Sequence, residues 1–250
     1  MYTFLILLIM IIIPIPVMTK NMLAGRNAYQ GVLKGSVSAM AGVTVVFLLF
    51  WAMTGASFFE VLEDGLNSIS AEDMNLMERY AVLGLEMPEP EELQLTLDHI
   101  KETTKLAVPG VIIVFSLVIA YINYGILSRL ISRSGRKIAV LPPFRSFSLP
   151  RSIVIGSLLI YILTYLTIKT GIIDENLIMF NLEMLFLFVM IIQGMAVTFY
   201  FGYIKKIPKP VLLILSGIFI LTWLGQTVLF LLGLIDVMFN IRKRISQTKL

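Results

Sequence analysis

The sequence predicts an all-α, polytopic integral membrane protein with about six transmembrane helices. Three observations carry this. Of 250 residues, 58% are hydrophobic and only 14% charged, where a soluble domain carries about 25% charged residues. The apolar residues gather in six runs, each near the roughly 20 residues a helix needs to cross about 30 Å of hydrocarbon. The connectors between the runs alternate in charge, as loops on opposite faces of a membrane do.

The first run, residues 2–18 of "MYTFLILLIMIIIPIPVM", lacks the basic start and small-residue cleavage site of a secretory signal. It reads as a short span that Pro14 and Pro16 stop or kink. The connector 19–35 carries Lys20, Arg26 and Lys34 without an acid, and within it "GVLKG" spaces two glycines four apart at the entrance to the second run, 36–57. Residues 58–105 then hold twelve of the sixteen acids. In that segment Ser70 and Asp73 have capping-box-like spacing, and Leu76, Tyr80 and Leu83 recur at helical spacing. "PEPEELQLTLDHIKE" starts a second helix with Pro and acids in its first turn. Two solvated helices over the outer face are expected, with a substrate-gating lid as the alternative.

Runs at 106–128, 152–171, 177–202 and 211–236 complete the set. The expected organisation is two N-terminal membrane helices (1–57), an acidic extracytoplasmic segment (58–105) and a C-terminal four-helix membrane domain (106–250). The connector 129–151 carries six basic residues and no acid, and "KKIPKP" adds Lys205, Lys206 and Lys209. The positive-inside rule puts these connectors in the cytoplasm and makes the protein a multi-pass cell-membrane protein. Within the first of them "LPPFRSFSLPRS" reads as an interfacial anchor: its prolines block the helix, Leu141, Phe144 and Phe147 reach the interface, and its arginines meet headgroups. The tail "RKRISQTKL" conflicts with six alternating crossings, which would leave it outside. A last run that turns back near Gly225–Gln226, in arms of about 13 residues too short to span, removes the conflict. Six spans remain the expectation, with the side of the tail open.

Several chemistries are excluded. There is no cysteine and one histidine, His99, so no disulfide, thiolate or imidazole metal centre is expected. Phosphate-loop, nucleophile-elbow and HExxH motifs are absent. Only Glu183 and Asp236 are acids near membrane depth, and no enzyme activity or cofactor is expected. The basic residues lie between apolar runs rather than in one patch, which argues against nucleic acid. The bilayer is the expected partner, and other membrane or cytoplasmic proteins remain open.

Ionisable and amide side chains inside membrane runs are costly, which makes each a candidate for function. Glu183 lies about 12 Å below the outer turn at 1.5 Å per residue. It would bind a cation, a proton or a basic ligand group, or serve as a structural carboxylate. Asn123, Asn181 and Gln193 join it as ligand-binding candidates, and Asn123 and Gln226 also suit hydrogen bonds between helices.

Three stretches, "PFRSFSLPRSI", "LFLFVMIIQGMAVTFYF" and "GLIDVMFNIRKR", together resemble the YybS-like family of uncharacterised bacterial membrane proteins. The resemblance covers about residues 30–250. It singles out Phe144, Arg145, Pro150, Arg151, Gly194, Asp236 and Arg242 as motif or interface positions. Beside that family the chain looks shortened at its N-terminus. The family's longer N-terminal part is similar to the substrate-binding subunits of energy-coupling-factor transporters, which implies small-molecule binding by analogy. The expected function is a small-molecule-binding or transport-associated membrane subunit. The alternative is a structural or regulatory partner that docks through the connector 129–151.

Overall fold

Aliphatic runs in a solvent that cannot satisfy peptide groups must satisfy them internally, and the helix does so within one segment. The computed structural model describes residues 2–69, 82, 89–169 and 175–247, and every regular element among them is helical. The chain divides into two compact units, Met1–Val140 and Leu141–Leu250. The boundary expected at 105/106 falls inside a single helix.

The first unit contains α1 (Tyr2–Ile12), α2 (Pro14–Leu23), α3 (Ala28–Thr54), α4 (Phe58–Asn67) and α5 (Pro90–Arg133). Pro14 and Pro16 do not end the first span. Ile13 keeps right-handed helical angles, and Pro14 opens α2, the position where a missing N–H costs least. The apolar stretch therefore continues to Leu23 as Ile6–Leu23. Next to this joint, Asn123 of α5 donates to the Ile11 carbonyl at 2.9 Å. The glycines of "GVLKG" are spent within the unit. A Cβ at Gly35 would sit 2.7 Å from Met18 Sδ, and Gly31 faces Asn21 and the Tyr124 ring. Gly42 continues this stripe against Ile9 and Ile13, so the small residues set close packing of α3 on its neighbours.

Of the acidic segment, residues 70–81 and 83–88, with Ser70, Asp73, Leu76, Tyr80 and Leu83, lie outside the described residues. Before them α4 opens on a capping box: Ser57 Oγ accepts from Glu60 N–H, and Glu60 accepts from Ser57 N–H at 2.6 Å. The latter bond holds the Glu60 carboxyl below the usual carboxylate range. After them α5 runs unbroken for 44 residues, about 66 Å and twice the hydrocarbon thickness.

The second unit contains a 3-10 turn at Phe144–Ser146, then α6 (Ser152–Ile168), α7 (Glu175–Ile204), α8 (Lys209–Leu221), α9 (Trp223–Phe239) and α10 (Ile241–Gln247). Among the described residues four stretches are long and apolar enough to cross a membrane: Ile6–Leu23, Ala28–Thr54, Glu91–Arg133 and Glu175–Ile204. The pair α8 and α9 makes a fifth if taken as one span, and α6, with 17 residues, is shorter.

The pair α8 and α9 is not a straight rod. Its axes bend by 109° at Thr222, whose extended backbone also caps α9 through its hydroxyl and Gly225 N–H. Gln226 Nε2 reaches back to the Ile220 carbonyl at 2.7 Å, supplying a donor that the break has removed. The contacts between α7 and α9 fix the direction of the return. Phe186 meets Phe230, Met190 meets Gly233 and Gln193 meets Asp236. Both numbers rise together, so α7 and α9 run the same way, and α8 must carry the chain back between them. Its 13 residues reach only about 20 Å, less than a full crossing. The hairpin enters and leaves by one end of the unit, with a turn at Thr222 rather than at Gly225–Gln226. Leu221 and Trp223 at its tip are 85% and 78% exposed, which suits hydrocarbon and not water.

The last run is thus re-entrant, and the basic tail returns to the end that carries Arg145 and Lys205. Topology reporters fused after Ile207 and after Leu250 are expected on the same side of the membrane. Opposite sides would mean that α8 and α9 complete a crossing.

Candidate functional site

The connector-end terminus of α7, the end of α9 and the Phe144–Ser146 turn meet in one polar cluster. Two left-handed residues make this possible. Lys206, at φ 56°, ends the α7 segment while Ile207 N–H returns to the Gly202 carbonyl, a Schellman-type closure. Asn240, at φ 50°, closes α9, and asparagine is among the few non-glycine residues that enter this region readily. The chain doubles back there, and Arg242 returns to a carboxylate six residues earlier.

That carboxylate is Asp236, 2% exposed, with Arg242 at 8% and Gln193 at 0%. Asp236 Oδ2 accepts from Arg242 Nε at 3.0 Å, from Arg242 Nη2 at 2.7 Å and from Gln193 Nε2 at 2.6 Å. Its Oδ1 accepts from the Arg242 backbone N–H at 3.3 Å. The same two side chains hold the connector: Arg242 Nη1 donates to the Arg145 carbonyl at 2.9 Å, and Gln193 Oε1 accepts from Leu149 N–H at 3.1 Å. Phe144 packs edge-on against Phe199 of α7, with centroids 5.5 Å apart. The Arg145 guanidinium lies 3.7 Å above the Tyr203 ring. "LPPFRSFSLPRS" is therefore docked on the end of α7, where Phe144 and Arg145 both find partners.

Backbone proximity lets the cluster close. A Cβ at Gly194 would overlap the Leu229 carbonyl, and one at Gly233 would overlap that of Met190. Carbonyl groups cannot swing aside as side chains can, so both positions demand glycine for this approach. Pro150 precedes the helical N-cap Arg151 and accepts Ile153 N–H through its carbonyl. Both residues are exposed and stand apart from the buried contacts.

Of the four ligand candidates, only Gln193 enters the cluster. Asn181 donates to Leu177 of its own helix at 2.6 Å. Glu183 is exposed on α7 and makes none of the cluster's bonds. Asn123 belongs to the first unit, where it bonds to Ile11. Five of the seven motif positions, Phe144, Arg145, Gly194, Asp236 and Arg242, do come together. Sequence reasoning missed Tyr200, whose hydroxyl donates to the Arg242 carbonyl at 3.2 Å, and the reversal at Asn240. An asparagine four residues after the last acid and two residues before the basic run 242–244 was the available signal.

Beside the cluster opens a cleft of about 320 Å³, whose lining includes Arg145, Ser146, Ser148, Lys243 and the edges of Asp236 and Arg242. No group of three His, Asp or Glu side chains able to hold a metal lies among the described residues. A buried carboxylate robbed of its partner keeps the desolvation cost and loses the compensation, typically 3–5 kcal/mol. Asp236→Ala and Arg242→Ala are each expected to lower stability by about 3 kcal/mol, read by thermal unfolding of the purified protein. The double variant should fall well short of the sum of the two losses. Full additivity would show that the pair is not coupled.

The chain matches the family model described as "Predicted membrane protein (DUF2232)" over residues 1–237. It is 26% identical over 138 residues to the uncharacterized protein YybS of Bacillus subtilis (strain 168), a match covering 55% of this chain and 44% of that relative. The match thus spans less than half of the relative's length. No solved structure matches. From a family match over nearly its whole length, this chain belongs to the predicted membrane protein family DUF2232.

Proposed function

We propose that this chain is a small-molecule-binding or transport-associated membrane subunit, without catalytic activity of its own. One observation carries the reading: three segments far apart in sequence converge on a buried, charged cluster that borders an open cleft. Burying a carboxylate and a guanidinium costs several kcal/mol each before their bonds compensate. A merely structural hairpin could use apolar contacts in their place. The reversal at α8 and α9 contributes to the same reading by returning Asp236 and Arg242 to the connector end, where the cleft opens.

On this reading the ligand site is the connector-end cleft, with Gln193 fixing its floor through Asp236 and Leu149. A regulatory partner docking on the connector is the second reading, favoured by the exposure of Ser146, Ser148, Pro150 and Arg151. Protein purified in native-lipid particles and analysed for bound metabolites is expected to yield a small molecule that Arg145→Ala protein loses. Folded protein that never retains one, from cells with no accumulation defect on deletion, would refute the proposal. A specific protein captured instead by a crosslinker at Ser148→Cys would establish the second reading.

A further inference from the structure

We infer that the cleft at the basic end of the second unit binds a phosphate group, carried by an anionic lipid headgroup or by a soluble phosphate compound. The inference rests on the reading of this cleft as a ligand site and specifies its chemistry. The charge balance comes first. Arg145, Arg242 and Lys243 line the cleft against one acid, Asp236. Arg242 and Gln193 already fill that carboxylate with four hydrogen bonds. It has little to offer a cationic ligand, and the lining as a whole keeps a positive excess.

Geometry narrows the ligand to an oxyanion. The Arg145 guanidinium carbon lies 3.7 Å above the Tyr203 ring centroid, a cation–π contact that holds the guanidinium at the cleft wall. A planar fork held this way suits two oxygens of one phosphate better than a flexible ammonium would. The exposed Ser148 adds a hydroxyl to the same cleft, a group that supplies a short hydrogen bond to a phosphate oxygen, while Ser146 Oγ already donates to the Pro143 carbonyl at 2.6 Å. A volume of about 320 Å³ is at the small end for ligand pockets and holds a headgroup or a compact phosphate ester.

Position points the same way. The cleft lies where α7 and α9 both end, beside "RKR" and close in sequence to "KKIPKP". The connector residues 141–151, the turn 205–209 and residues 242–244 contain eight Lys or Arg and no acid. Such a surface sits at the depth of lipid phosphates on the side with basic loops.

The test uses the full chain in maltoside detergent, free of added phosphate, with two probes. Native mass spectrometry measures retention of phosphatidylglycerol against phosphatidylcholine, and thermal shift measures sodium phosphate against sodium chloride at equal ionic strength. Preferential retention of phosphatidylglycerol identifies a lipid source, and a saturable shift with phosphate identifies a soluble one. In either case Arg145→Ala should weaken binding by about tenfold, the loss of one charge-assisted hydrogen bond. Arg145→Lys should recover only part of it. Ser148→Val, outside the Asp236 cluster, should weaken binding in protein that melts as the parent does. Absence of both signals in folded parent protein overturns the inference. A co-purified molecule without phosphate that Arg145→Ala protein loses would also overturn it, while leaving the ligand site itself standing.

Discussion

A carboxylate removed from water must find its donors inside the protein, and Asp236 finds four. The rest of the second unit follows from that requirement. Arg242 can supply three of the donors only because Asn240 reverses the chain. Gln193 can supply the fourth only because Gly194 and Gly233 let the helix backbones touch. A further donor of Arg242 and the amide oxygen of Gln193 bond to Arg145 and Leu149, which ties the connector to the same point. Each group satisfies another, so removing one leaves several exposed to the cost of burial without compensation.

The cluster also explains why the final helices double back. An α9 that crossed away from the α7 terminus would carry Asp236 and Arg242 to the far end, out of reach of Gln193 and Tyr200. The break at Thr222 brings them home. Its backbone is repaired locally by Thr222 and Gln226, and its tip shows lipid the apolar Leu221 and Trp223. The basic tail then joins the other basic segments of the unit on one side, in accord with the positive-inside tendency. A cationic surface and the cleft beside it arise together from one reversal.

Much of this was legible in the sequence, and the parts that were not have physical reasons. Composition and run length identify a helical membrane protein because hydrocarbon leaves the backbone few alternatives. The tail's charge conflict raised a turn in the last run as the alternative to six crossings, and the break lies at Thr222 rather than at Gly225–Gln226, although threonine is a weaker helix breaker than the nearby glycine. The prolines at 14 and 16 mark the joint between α1 and α2 but do not stop the span, because Ile13 holds a helical conformation that lets Pro14 act as a first residue. Single polar residues inside apolar runs were visible, but depth alone ranked Glu183 above Asp236. Which of them is buried depends on how helices pack, and period and spacing carry no information on that. The motif residues around Phe144, Gly194 and Asp236 pointed to the site better than any residue's individual chemistry did.

The central claim is that the Asp236 cluster holds the connector and the chain's tail together, and the absence of native cysteine makes it directly measurable. With Ser146→Cys and Lys243→Cys, two cleft-lining positions, a short thiol crosslinker applied to native membranes should join the pair efficiently. Adding Asp236→Leu should abolish the crosslink in protein that is still inserted. A crosslink that forms equally well without the carboxylate would contradict the account.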